Sequence, residues 1–450
     1  MPLQRAIDLY HALLEPQIAA DSQGQMEEQL RRRGLFFGER PLCTVLRPRF
    51  LTPEQYRFLR DRCALILSAF RKSYERALQD PEFLSHFRLN RWEGELVQHD
   101  PGFRDPSPVS RLDAFFVHER GGLRFTEYNA ETPAGAAYGD LLSEVFLALP
   151  IMREFLHHYE VRPLPARHQV MHALLNAYQE WSGRRDLPRI AIVDWEEVPT
   201  YSEFLVTVDY LRAHGLECVI ADPREVEYSD GRLVAAGLPV DVVYKRVLIN
   251  ELVDREGMDH AIVRAVRDNA VCMVNPFRCK ILHKKASLAV LSDEANEGLF
   301  TAAELGAIRA HIPWSRVVEE RRTTHEGEEV DLVDFIRDNR ETLVLKPNDE
   351  YGGTGIVLGW EATQEQWEAA IATALAEPYI VQWRIPIPSE PYPSVVDEQV
   401  IVADRIVDTA PFIFHSGYMD GCLTRISTES LVNVTAGGGS SLATFIVGER

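Results

Sequence analysis

Arg111-Leu-Asp-Ala-Phe-Phe-Val-His118, then Glu-Arg-Gly-Gly, then Leu123-Arg-Phe-Thr-Glu-Tyr-Asn129 is the stretch that decides how this chain is read. Two aromatic, strand-like runs flanking a glycine turn signal predict a β-hairpin. Side chains two apart on a strand leave the same face, so Arg111 pairs with Asp113 and Glu127 with Asn129. A register in which partner numbers sum to 240 or 242 brings all four to one face; 240 sets Asp113 opposite Glu127 and Arg111 opposite Asn129. An odd sum would place Asp113 and Glu127 on opposite faces. Two carboxylates and an amide oxygen form a hard, all-oxygen set of the kind magnesium uses beside phosphates. The neighbouring guanidinium suits the phosphate charge rather than the metal. Taken locally, an exposed hairpin laced by cross-strand ion pairs accounts for the same residues.

Around this hairpin the chain has 450 residues, 46% hydrophobic and 26% charged, at the average for globular proteins. At about 150 residues per domain, that length suggests roughly three structural units. With 48 basic against 68 acidic side chains the net charge is −20, which disfavours both nucleic-acid backbones and anionic membranes as partners. Six cysteines form no CxxC pair and no zinc spacing, which reads as buried thiols in a reducing compartment. The first residues lack the apolar core of a signal peptide, and the greasiest run, Leu141 to Met152, is interrupted by Glu144. The expectation is a soluble, cytoplasmic protein.

Before the hairpin the sequence is mostly helical. Tyr56, Leu59, Cys63, Ile66, Leu67 and Phe70 recur at helical spacing, with Thr52 as N-cap and Pro53 at the first helical position. After it, helical text runs from about Gly139 to Trp181. Arg189–Asp194, the helix from Ser202 to His214 and Glu217–Asp222 then make a βαβ unit, with Asp241–Val247 as a further strand of a parallel, Rossmann-like sheet. Trp195-Glu196-Glu197 stands where a GxGxxG turn would be, so dinucleotide binding there is disfavoured.

The last third carries three further candidates. The strand Glu341–Lys346 leads into Gly352-Gly353-Thr354-Gly355, a glycine-rich flap whose N–H groups could approach phosphate beside a lysine. It is neither a Walker A loop nor a kinase pattern, and an ordinary mobile turn fits it equally. Tyr379–Ile385 could be the strand on which an adenine ring rests, or simply a buried strand. Arg425 and the loop Thr435-Ala-Gly-Gly-Gly-Ser-Ser441 could form an anion nest or a flexible turn.

In combination these segments resemble the circularly permuted ATP-grasp proteins of the glutathionylspermidine synthetase type. Arg111-Leu-Asp113 followed by Phe125-Thr-Glu-Tyr-Asn-Ala-Glu-Thr-Pro133 is similar to that family's Arg-x-Asp and Glu-x-Asn-Ala-Asp-Thr-Pro signature. The resemblance implies Asp113, Glu127 and Asn129 as Mg2+ ligands and Arg111 as the group facing the transferred phosphoryl. It implies Lys346, Gly352, Gly353 and Gly355 as the lid over ATP, Gln382 at the adenine hinge, and Arg425 as a late phosphate or acyl contact. A second ATP lysine is expected among Lys280, Lys284 and Lys285, with Lys284 favoured by position. The permutation explains why the metal hairpin comes early and the lid late.

The resemblance spans about residue 105 to the end and includes no cysteine amidase half. The Val432–Ser441 ending is closer to an uncharacterised bacterial subgroup than to true glutathionylspermidine synthetases. The implied architecture is an α/β ATP-grasp fold with α+β elements. It divides into a mainly helical 1–104, an ATP-grasp part with the metal hairpin at 105–185, an inserted Rossmann-like pre-ATP-grasp substrate domain at 186–285, and the lid and nucleotide-binding part at 286–450. The implied activity is ATP- and Mg2+-dependent joining of a small-molecule or peptide carboxylate to an amine through an acylphosphate. The alternatives are a nucleotide-binding shell without turnover and a small-molecule kinase. The sequence leaves the two substrates and the oligomeric state open.

Overall fold

In the computed structural model, which describes residues 3–117, 122–350, 352–428 and 439–450, the strands Val109–Val117 and Gly122–Asn129 pair antiparallel. Arg111 lies opposite Asn129 and Asp113 opposite Glu127, the register in which partner numbers sum to 240. Just past Asp113 the register shifts, so that Ala114 faces Phe125 and Thr126 is left without a partner. That bulge separates two jobs within one hairpin. On the far side of it Ala114, Phe116, Leu123 and Phe125 enter the core, while the four polar residues keep their common face. Residues 118–121 of the expected turn, and 432–438 of the glycine–serine ending, lie outside the described residues.

The hairpin is the end of a large antiparallel sheet completed from the other end of the chain. Ala410–Phe414 lies beside Val109–Val117 with Phe412 opposite Arg111, and Tyr418–Ser427, Gln399–Val407 and Ser389–Val396 follow outward. The back of the hairpin is covered by the helix Pro53–Gln79. Its start is the predicted one: Thr52 accepts from the Gln55 N–H while the Gln55 side chain accepts from the Thr52 N–H, a reciprocal cap. Tyr56, Leu59, Cys63, Ile66, Leu67 and Phe70 are all buried, and Phe70 packs on Tyr128 of the hairpin with ring centroids 4.8 Å apart.

The predicted βαβ unit forms a four-stranded parallel sheet in the order Cys272–Val274, Val242–Lys245, Ile190–Val193, Cys218–Ala221. A second four-stranded sheet, antiparallel, places Tyr379–Trp383 between Ser315–Val317 and Leu343–Pro347, with Val357–Leu358 at the edge. The stretch from Gly139 to Trp181 is not wholly helical. The helices Ala136–Ala148, Pro150–Phe155 and Arg167–Ser182 are interrupted by the strand Tyr159–Pro163. That strand pairs with Thr444–Glu449, which also pairs with Arg49–Leu51 of the helical N-terminal region. All six cysteines are buried free thiols, and among the described residues no helix is long and apolar enough to cross a membrane.

Candidate functional site

The open face of the hairpin looks toward two cavities that share Asp113, Glu127, Gly352 and Arg425 in their walls. One, of about 180 Å³, lies between the hairpin and the small antiparallel sheet and adds Lys346, Gly353 and Gln382. The other, of about 410 Å³, runs toward the parallel sheet and adds Arg111 and Asn129. Of the residues singled out from sequence, Lys280, Lys284, Lys285 and Gly355 border neither.

Asp113 sits between two guanidinium groups. Arg111 Nε and Nη2 donate to its two oxygens at 2.6 and 3.0 Å, and Arg425 Nη2 donates to Oδ2 at 2.8 Å. Burial alone would push the Asp113 carboxyl up, but Arg111 and Arg425 outweigh it and hold it well below the ordinary range. Arg425 is itself oriented by Asp408, whose two oxygens accept from its backbone N and its Nε at 2.6 Å each. Burial raises the Asp408 carboxyl despite that arginine. Arg111 Nη1 also donates to the Ala134 carbonyl at 2.8 Å.

Glu127 is paired with Lys285, Nζ to Oε1 at 3.0 Å. Burial is again outweighed, chiefly by Lys285, and the Glu127 carboxyl is lowered. Lys284, one residue earlier, points elsewhere: its Nζ donates to Glu93 Oε1 and Asp349 Oδ2 at 2.7 Å each. Lys280 belongs to the same buried cluster, donating to Glu131 at 3.1 Å and to Asp349 at 2.6 and 2.8 Å. Glu131, wholly buried, also takes Lys245 Nζ at 2.7 Å. Lys284 and Lys280 thus sit in an ion network at the root of the glycine loop, and Lys285 alone of the three meets the hairpin carboxylate. Sequence spacing could not separate them, because the short helix Cys279–His283 ends at Lys284 and changes the direction of the chain.

Lys346 Nζ donates to Gln382 Oε1 at 2.7 Å, and Gln382 Nε2 donates to Ser315 Oγ at 3.0 Å. Burial pulls the Lys346 ammonium down to about 8, with the Glu127 charge opposing. The strand Tyr379–Trp383 is paired on both sides, so its backbone is spent. Beyond the ladder Arg384, Ile385 and Ile387 line the smaller cavity, and Ile385 and Ile387 share its apolar lining with Val344, Ile356 and Leu358. Gly353 takes φ +82° and Gly355 φ +70°, where a Cβ on Gly355 would stand 2.7 Å from Pro347 Cγ. Both glycines are therefore needed for the loop to fold back over the strand end.

Among the described residues no three His, Cys, Asp or Glu side chains converge as a metal cluster. Asp113, Glu127 and the Asn129 amide nevertheless offer a hard-oxygen set, which fits a magnesium ion that draws its remaining ligands from phosphate and water. At present cations stand on both carboxylates, Arg111 and Arg425 on Asp113 and Lys285 on Glu127. With Lys346 these make four cationic side chains against Asp113, Glu127 and Asp408. The excess is positive, in a protein whose overall charge is −20, and suits a polyphosphate. Sequence reasoning missed Asp408, and it named Lys285 only as one of three lysines while favouring Lys284. Asp408 carries no motif, and only the pairing of distant strands brings it beside Arg425.

A family model for circularly permuted ATP-grasp type 2 proteins matches residues 114–427. Among solved structures, the chain is similar to a glutathione synthetase-like effector from Globodera pallida in its apo form. The TM-score is 0.61 at 14% identity, with 96% of this chain and 98% of that one covered. D-alanyl-alanine synthetase A from Vibrio cholerae matches at TM-score 0.27 and 10% identity over 52% of this chain and 86% of that one. No curated protein matches the chain by sequence.

Proposed function

The chain belongs to the circularly permuted ATP-grasp type 2 family, and from that membership we propose that it is an ATP- and Mg2+-dependent carboxylate–amine ligase. The observation that carries this reading is the convergence of Arg111, Asp113, Glu127 and Asn129 on one hairpin face, where two cavities meet. Such a junction is what a two-substrate phosphoryl-transfer enzyme needs, with nucleotide on one side and acceptor on the other.

In this reading the smaller cavity takes ATP, with the base in the apolar slot before Ile385 and Ile387 and the phosphates over Lys346 and Lys285. Asp113, Glu127 and Asn129 would hold the magnesium ion, which would supply charge neutralisation for the phosphates. Arg111 and Arg425, which donate to Asp113 in this structure, would turn their N–H groups to the transferred phosphoryl group and the substrate carboxylate. The carboxylate oxygen attacks the γ-phosphorus, the bond to the β–γ bridging oxygen breaks, and ADP leaves. An amine then attacks the acyl carbon, inorganic phosphate leaves with the former carboxylate oxygen, and the amine proton is lost. The chain does little covalent work, so the barrier falls through positioning and charge. The loop Gly352–Gly355 closes over the phosphates and keeps water from the acylphosphate.

The test is ADP release from MgATP over paired panels of carboxylates and amines, with products identified by mass. The ligase reading expects release that needs both partners and yields an amide plus phosphate. A stable phosphorylated product that forms without amine would make the protein a kinase. Nucleotide binding with no turnover across the panels would leave it a binding shell.

A further inference from the structure

Three cations stand on the two hairpin carboxylates, and each keeps a second partner. Arg111 holds Asp113 through Nε and Nη2 and sends Nη1 to the Ala134 carbonyl at 2.8 Å. Lys285 meets Glu127 Oε1 at 3.0 Å and donates to the Glu350 carbonyl at 2.6 Å. For Arg425 the second partner is a carboxylate. Its Nη2 donates to Asp113 Oδ2 at 2.8 Å and lies 2.6 Å from Asp408 Oδ2, which also accepts from its Nε at 2.6 Å. A carbonyl dipole only steadies a cation, whereas a carboxylate cancels its charge. Asp408 is 2% exposed, and burial widens that difference.

The backbone fixes Asp408 in this place from two sides. The strands Gln399–Val407 and Ala410–Phe414 both pair antiparallel with Tyr418–Ser427. Val407 faces Ile426 before the step between them and Ala410 faces Leu423 after it, so Asp408, within the step, stands opposite Arg425. Its N–H donates to the Arg425 carbonyl at 3.0 Å, and its Oδ1 accepts from the Arg425 backbone N–H at 2.6 Å. On the other flank the Thr409 N–H donates to the Ala114 carbonyl at 2.8 Å, at the bulge that follows Asp113. The carboxylate is therefore held by main chain, whatever the Arg425 side chain does.

A divalent ion on Asp113 needs oxygen lone pairs that Arg111 and Arg425 now fill. A buried guanidinium that gave up its only carboxylate would carry a large desolvation penalty, and that penalty would count against the ion. For Arg425 the penalty is absent, because its Nε and Nη2 groups stay beside Asp408. Arg111 falls back on a carbonyl, so Arg425 is the arginine whose release is compensated in charge.

We propose that Asp408 is a positioning residue for the metal site, which keeps Arg425 charge-paired at the junction of the two cavities when Asp113 turns to a divalent ion. It acts through Arg425, and the proposal rests on the reading of Asp113 as a metal ligand.

The full chain is titrated with Mn2+ alone, read by the relaxation enhancement of water protons, with thermal unfolding followed in parallel. Asp408→Asn keeps the acceptor for the Arg425 backbone N–H and removes the counter-charge. It should weaken Mn2+ binding at least roughly tenfold. Asp408→Ser gives the same comparison where the asparagine variant does not fold. Arg425→Met removes the group through which Asp408 acts, so in that background the loss caused by Asp408→Asn should shrink by at least about threefold. A purely structural role would not produce that difference between backgrounds. A smaller loss in the single variant would overturn the proposal. So would losses within about threefold of each other in the two backgrounds, which would mean that Asp408 acts on the ion by its own charge. A parent chain without saturable Mn2+ binding removes the metal assignment and the proposal together, whereas saturable binding that Asp408→Asn leaves unchanged removes the proposal alone.

Discussion

Asp113 is held by two arginines and Glu127 by one lysine, so the carboxylates of this site are ionised and already paired with groups that phosphate can claim. Asp113→Asn, Glu127→Gln and Asn129→Ala should each leave the protein folded and cut ADP release by more than the roughly 10–100-fold that losing an outer-shell partner costs a metal site. Near-parental turnover in all three, measured beside thermal unfolding, would remove the metal assignment. The two neighbouring lysines should separate cleanly. Lys285→Met should weaken nucleotide binding roughly tenfold. Lys284→Met should instead lower stability by about 3 kcal/mol, because it strips a partner from wholly buried Glu93. The reverse pattern would restore Lys284 to the nucleotide. Lys346 adds a pH signature: its ammonium titrates near 8, anions prefer the protonated form, and nucleotide affinity should therefore fall as pH rises through about 8. A titration series flat across that range would exclude Lys346 from the phosphates. At this scale the sequence exposed the residues whose roles lie in local spacing, Arg111 through Asn129. It did not expose Asp408, which a distant strand brings in, nor single out Lys285 among three neighbouring lysines, because a change of chain direction decides between them.

Among the elements, the hairpin was the most legible because a glycine turn signal and one alternation narrowed its register to two sums, of which the structure has 240. Its bulge was not, since Thr126 is an ordinary strand residue and the shift answers to packing behind it. The βαβ unit was equally plain, for buried parallel strands read as short apolar runs. The strand Tyr159–Pro163 escaped notice inside helical text because its partner, Thr444–Glu449, is almost three hundred residues away. The glycine loop offers the sharpest element-level test. Gly355→Ala meets Pro347 and a left-handed φ together, at about 1–2 kcal/mol for the backbone alone. It should raise the KM for ATP with little change in global unfolding, and an unaltered KM would make the loop an ordinary turn. In the helix Pro53–Gln79, Phe70→Ala should cost about 3–5 kcal/mol in denaturant unfolding, because its ring fills the space behind Tyr128. A cost below about 1 kcal/mol would show that the helix does not brace the hairpin.

Across the whole molecule, two features join segments far apart in the chain. The sheet of Arg49–Leu51, Thr444–Glu449 and Tyr159–Pro163 fastens the helical N-terminal region to the last strand. The buried network of Glu131, Lys245, Lys280, Lys284, Glu93 and Asp349 ties the end of the hairpin to the parallel sheet and to the root of the glycine loop. Glu131 is pushed up by burial but held well below its ordinary value of 4.5 by Lys245 and Lys280. Its contribution to stability is therefore complete above that value and is lost as pH falls below it. Acid unfolding should begin in that range, with Glu131→Gln less stable at neutral pH and less sensitive to acid. An identical acid profile in the variant would show that the network does not couple the parts.

The central claim is that one hairpin face holds a divalent ion and its triphosphate. A crystal structure with Mn2+ and a non-hydrolysable ATP analogue tests it most directly, since the anomalous signal of manganese locates the ion without reference to chemistry. The account predicts one or more ions at about 2.0–2.3 Å from oxygens of Asp113, Glu127 and Asn129, the γ-phosphate near Arg111 and Lys346, and the adenine before Ile385. An ion seated elsewhere, or a nucleotide that leaves this face empty, would contradict it.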